Sequence, residues 1–230
     1  MNILPAELWE IVALSIRVSF VAIVFTLPLA TAIAYLLATR RFRGWHVLNA
    51  LCHLPLVMPP VITGYLLLLA FSPRGWFGGL LQKIGISFAF NWYGAALAAG
   101  IMAFPLMMRP IRLAFETQDR EILEAAKSLG ANRWSAFRSI SLPLAMPGII
   151  AGAVLGFAKA LGEFGATITF VSNIPGETRT LALAIYSFLQ SPSGDVATFA
   201  LVLIGIAISF GAILMSEILA MRLGRRNERR

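Results

Sequence analysis

The sequence predicts an all-α integral membrane protein of about five transmembrane helices, with its N-terminus outside and its C-terminus in the cytoplasm. Three observations carry that reading. Of 230 residues, 58% are hydrophobic and 13% charged, about half the charge fraction of a soluble domain, and the mean hydropathy is +0.79. Apolar runs recur, each long enough for the roughly 20 helical residues that a bilayer demands. Lys and Arg gather after alternate runs, the pattern that sets orientation in membranes.

The formal charge of +8 would suggest nucleic acid in a soluble chain. Here the basic residues cluster at span ends, so the partner they imply is the lipid bilayer and not nucleic acid. Cys52 is the one cysteine, so an internal disulfide is excluded. His46 and His53 stand without a Cys or carboxylate pattern, and no metal site is expected. The N-terminus is acidic and lacks the basic start of a cleavable signal peptide.

The first apolar run, about 11–38, carries Arg17 near its start and ends at Arg40-Arg41-Phe42-Arg43. The second, about 47–71, holds Pro55, Pro59, Pro60 and Gly64, which predicts a kinked span. The third, about 92–115, ends in Arg109 and Arg112, whose stems can snorkel toward headgroups. A polar stretch over 116–143 separates it from the fourth run, about 144–166, which contains Lys159 and Glu163. An outer-side segment over 172–195 includes the apolar stretch Thr180–Gln190, about 11 residues or roughly 16 Å as helix, too short to cross. It reads as an outer helix or re-entrant piece closing over a pathway. The fifth run, about 196–219, precedes a tail with Arg222, Arg225, Arg226, Arg229 and Arg230. The proposed outer side holds only Arg74, Lys83 and Arg179, and all five Trp lie at or beyond span ends, where the indole prefers the interface. No repeat or low-complexity segment divides the chain, so 1–230 reads as one membrane domain.

Within the cytoplasmic loop, Glu116 to Leu129 is rich in helix formers. Asp119 is placed to cap a short helix from Arg120, with Glu121 and Glu124 early in it. Leu123, Ala126 and Leu129 share a face, Glu124 and Lys127 lie elsewhere, and Gly130 is a natural stop. Ala125 and Ala126 leave a flat surface that another protein can approach closely. Pattern alone fits a helix lying on lipid equally well.

In the fourth run, Gly148, Gly152 and Gly156 form a smooth stripe for close helix contact, within the bundle or between subunits. Lys159 and Glu163 are four apart and share a face, at a depth where charge must be paired or face water. The pair reads either as self-neutralising packing or as pathway lining in which Lys159 favours a passing anion. Gly162 and Gly165 bracket Glu163 and Phe164 and invite a helix break, with Thr167 just beyond. Farther on, Pro175-Gly176 signals a turn, and Arg179 among Ser and Thr suits either an oxyanion or plain loop structure. No Gly-Lys-Ser/Thr follows a Gly-rich loop, so the chain lacks that means of holding ATP and is not expected to be an enzyme.

Glu124-Ala125-Ala126, then Gly130, then Ile140-Ser141-Leu142-Pro143 resembles the EAA loop of binding-protein-dependent ABC transporter permeases. Residues 161–180, 53–61 and 104–109 are similar to the molybdate-importer subfamily, and the likeness spans nearly the whole chain. Sulfate and thiosulfate permeases share a Gly-Glu-Phe/Tyr-Gly segment but diverge after it. The resemblance implies the type I ABC importer permease fold, in the cytoplasmic (inner) membrane, for molybdate or tungstate. It makes Leu123, Glu124, Ala125, Ala126, Lys127, Leu129 and Gly130 the coupling surface, and Lys159, Glu163, Phe164, Thr167 and Arg179 candidates for the pathway or its gate. The implied partners are a second copy of the chain, two ATP-binding subunits that hold ATP and magnesium, and a periplasmic or extracellular molybdate-binding protein. The chain itself would bind no cofactor. The rivals are a sulfate/thiosulfate permease and, from another class, an ATP-independent secondary anion transporter or a scaffold without transport.

Overall fold

The computed structural model describes residues 5–191 and 194–227. Among the described residues every regular element is helical: α1 (Pro5–Thr39), α2 (Trp45–Val57), α3 (Pro60–Phe71), α4 (Gly78–Gln82), α5 (Trp92–Glu116), α6 (Arg120–Ser128), α7 (Arg133–Ala136), a π turn (Phe137–Ser141), α8 (Leu142–Leu161), α9 (Gly165–Val171), α10 (Leu181–Leu189) and α11 (Asp195–Asn227). Four helical stretches are long and apolar enough to cross a membrane, and α2 with α3 makes a fifth if the bent pair is counted as one span.

The bundle is built around α5. Of its most apolar window 67% is buried, against 17% for α11, so α5 is the core strut and α11 mostly faces outward. Small residues explain this: Gly94, Ala95, Ala96, Ala98, Ala99, Gly100 and Ala103 are all buried and let neighbours approach closely. The principal partners of α5 are α1 and α8.

Contacts fix the directions of the helices. Arg17 lies 3.8 Å over the ring of Trp92, whereas Tyr35 meets Phe115 at 5.2 Å. α1 and α5 therefore run parallel. Gly148 abuts Pro110 and Ala114 while Gly156 abuts Met107, so α8 is antiparallel to α5. Between α1 and α5 the chain must cross once. It does so through α2 and α3, which are bent by 111°. The kink expected over 47–71 is thus a full break between two helices. Two prolines in tandem hold Met58 and Pro59 extended (ψ 143° and 130°) and remove two successive backbone donors, so the helix stops and restarts in a new direction.

Other bounds also move. α8 is continuous through the π turn with α7, so the helix that carries the fourth apolar run begins at Arg133, inside the stretch expected as connection. It then breaks after Leu161 and resumes as α9, which runs past residue 166 to Val171. α10 is a nine-residue helix packed on the early turns of α1 and on α11, around Ile11, Val12, Leu181, Ala184 and Leu201. The Leu181 N–H donates to Ser15 Oγ at 2.6 Å, tying α10 to α1.

Candidate functional site

Two places carry the unusual chemistry: the connection between α5 and α8, and the break between α8 and α9.

α6 is a short helix capped at both ends. Asp119 Oδ1 accepts the Glu121 N–H at 2.9 Å, which satisfies one of the free donors of the first turn. At the other end the Ala131 N–H donates to the Ala126 carbonyl at 3.0 Å, with Gly130 at φ +87°. That is a Schellman close, and it needs a left-handed residue at 130. Glu124 and Ala125 are exposed, while Leu123 and Ala126 are half-buried. Leu129 departs from the expected shared face: it lies beyond the end of α6 and is 89% exposed. The Lys127 side chain lies outside the described residues.

α6 is joined to the bundle. Asn132 Oδ1 accepts the Ser135 N–H at 2.8 Å and starts α7. The helix then widens into the π turn, whose Phe137 carbonyl accepts the Leu142 N–H five residues on. Pro143 follows and has no N–H, so the ladder cannot be regular there. Gln118 Nε2 donates to the Ser141 carbonyl at 2.8 Å, linking the approach to α6 with the foot of α8. Phe137 packs on Tyr35 at 4.6 Å and on Trp134 at 5.6 Å, and Tyr35 also meets Phe115. α1, α5 and the π turn that leads into α8 thus share one aromatic cluster. The sequence reading missed Gln118 and this cluster. The bulge had a signal, the Pro143 that must interrupt a helix, but partners far apart in sequence had none.

At the break, Gly162 ends α8 and Phe164 precedes α9. Glu163 is buried, with 2% of its surface exposed. Its Oε1 accepts the Ala166 N–H at 3.0 Å and its Oε2 accepts from Lys159 Nζ at 2.7 Å. One carboxylate therefore caps the restarted helix and neutralises the only nearby ammonium. A bare carboxylate at this depth would be costly, and both oxygens are satisfied. Lys159 is half-buried (29%). Thr167 is buried and donates to the Phe164 carbonyl at 2.8 Å. Phe164 packs on Tyr186 of α10 at 4.8 Å. The geometry is the self-neutralising pair, not a free cation.

Arg179 lies elsewhere. Its Nε donates to Asn173 Oδ1 at 3.1 Å and its guanidinium sits 3.7 Å from Glu7. The loop it closes is centred on buried Thr178, which accepts from the Ile174 N–H and donates to the Ser172 carbonyl. Gly148 and Gly152 face α5 and Gly156 faces α5 and α1 within the chain, and a methyl on Gly152 would stand 2.8 Å from the Met107 carbonyl. Of the two uses open to that stripe, the structure shows internal packing. Among the described residues no group of His, Cys, Asp and Glu could hold a metal.

The family described as the binding-protein-dependent transport system inner membrane component matches residues 14–225. The molybdenum transport system permease protein ModB of Escherichia coli K12 is 52% identical over 213 residues, covering 92% of this chain and 93% of that one. ModB of Haemophilus influenzae is 49% identical, covering 91% and 92%. The sulfate transport system permease protein CysT of E. coli is 32% identical, covering 96% and 83%. Among solved structures, a bacterial ABC transporter involved in import of the acidic polysaccharide alginate aligns with a TM-score of 0.75 at 19% identity, covering 94% of this chain and 79% of that one. The MetNI methionine ABC transporter aligns at 0.68 and 14%, covering 95% and 94%. At those identities the structures speak for the fold.

Proposed function

The chain belongs to the family of binding-protein-dependent transport system inner membrane components, and from that premise we propose that it is the membrane-spanning permease subunit of an ATP-driven importer of molybdate. The observation that carries this reading is 52% identity over 92% of the chain to a molybdenum permease. A sulfate permease is also similar, but at 32%, so sulfate is the second reading.

In this proposal two copies of the chain enclose the pathway in the cytoplasmic membrane. Two ATP-binding subunits, holding ATP and magnesium, grip α6 through Glu124, Ala125, Ala126 and Gly130. An external binding protein delivers the anion. The mechanical reasoning supports it: α6 is stiffened at both ends, and the Tyr35, Phe115 and Phe137 joint carries its displacement into α1, α5 and α8 together. Such a rigid connection is what a nucleotide-driven motor needs in order to move spans. Lys159, Glu163, Phe164 and Thr167 then set the shape of the pathway wall at the α8–α9 break. Lys159 acts through Glu163, because its charge is already spent on that carboxylate.

Uptake of labelled molybdate tests the reading, in a strain lacking this chain and complemented with it and its partner genes. Uptake that survives a large excess of sulfate and is competed by tungstate is expected. Sulfate competition as strong as that of unlabelled molybdate would move the chain to the sulfate group.

A further inference from the structure

We propose that the Arg40–Arg43 hook and the exposed apolar face beside it on α2 form a binding site for an anionic phospholipid of the cytoplasmic leaflet. The hook is built, not loose. Gly44 turns the chain with φ +91°, and the Trp45 indole N–H donates to the Leu37 carbonyl at 2.9 Å, pinning the turn to the end of α1. Arg41 lies 4.2 Å over that indole and Arg112 5.0 Å from its centroid. Arg40, Arg41 and Arg43 are exposed, and none is in an ion pair among the described residues.

Directly after the hook runs an open, exposed face of α2 made by His46, Val47, Ala50, Leu51 and Leu54. These positions form one stripe over two turns of helix, about 12 Å in length. That is less than half of the roughly 30 Å hydrocarbon thickness, so this face fits within a single leaflet. The stripe is exposed: Val47 by 62% and Leu51 by 58%.

The combination selects the occupant. A free oxyanion would leave the apolar stripe uncovered. A partner helix would fill the stripe but would not need three unpaired guanidinium groups at its end. A phospholipid with net negative charge satisfies both, with its phosphate among the arginines and an acyl chain along Val47, Leu51 and Leu54. Arginine suits phosphate because its planar fork donates two hydrogen bonds at once. Cytoplasmic leaflets carry the anionic lipids that such basic juxtamembrane segments attract.

The test places a photo-reactive benzoylphenylalanine at exposed position 50 of the full chain. The protein is reconstituted, with its co-purifying subunits, into nanodiscs of phosphatidylcholine containing a minor fraction of phosphatidylglycerol. We expect captured phosphatidylglycerol to exceed its share of the bilayer. The enrichment should fall about tenfold or more in R40Q/R41Q/R43Q and by less in R40K/R41K/R43K, which keeps the charge but not the planar fork. Because all three side chains are exposed, unchanged thermal unfolding of both variants is the control on folding. Lipids captured in the proportions of the bilayer, enrichment that the Gln variant leaves intact, or capture of a second copy or an ATP-binding subunit would each overturn the site.

Discussion

Glu163 shows how one side chain can hold a discontinuity in a membrane. Its two oxygens serve two different needs, the open N–H of Ala166 and the charge of Lys159. Separating those needs is a matter of choosing the substitution. Glu163→Gln keeps an amide oxygen for the Ala166 N–H and loses only the counter-charge. Glu163→Ala loses both. We expect Glu163→Ala to lower thermal stability in detergent by on the order of 1 kcal/mol more than Glu163→Gln, the usual worth of a cap. Lys159→Met should restore part of the molybdate uptake lost in Glu163→Gln, because it removes the unpaired ammonium. If the double variant transports no better than Glu163→Gln alone, the charge balance is not what the break requires.

At the scale of elements, α6 is the clearest device. Its caps at Asp119 and Gly130 are local and were legible from residue types and spacing alone. We expect Glu124→Lys and Gly130→Pro to abolish co-purification of the ATP-binding subunit while leaving the unfolding temperature of the membrane region unchanged, since neither residue touches the bundle core. Normal amounts of that subunit with either variant would remove α6 from the docking role. The glycine stripe makes the opposite forecast. Gly152→Val must push α8 off the Met107 carbonyl and the Ile111 side chain, at about 1–3 kcal/mol for overpacking, so its unfolding temperature should fall whether or not partners are present. The break in the second span was signalled by Pro59-Pro60, but its 111° angle was not. The prolines say that a helix cannot continue; what α3 packs against, chiefly α9, says where it goes next.

For the whole molecule, parallel α1 and α5 and antiparallel α8 force the polypeptide to alternate ends, which agrees with the Arg-rich turns all falling at one end. The positive-inside pattern assigns that end to the cytoplasm. Cysteine introduced at Ile174 should therefore react with a membrane-impermeant maleimide in intact cells, and cysteine at Leu129 only after permeabilisation; the native Cys52 is buried and does not compete. Labelling of both from outside would invert or break the topology. Composition and apolar length determined by themselves that this chain crosses the membrane, and residue types at near-neighbour spacing determined where the capped helix α6 lies, because the bilayer imposes its length on any sequence and caps are made by near neighbours. Tertiary structure alone decided that Lys159 is spent on Glu163, that the glycine stripe faces inward onto α5, and that Gln118 and the Tyr35, Phe115 and Phe137 joint tie α6 to the bundle. Those are contacts between surfaces distant along the chain or choices among rotamers, and periodicity marks which residues can meet a neighbour without saying which neighbour it is.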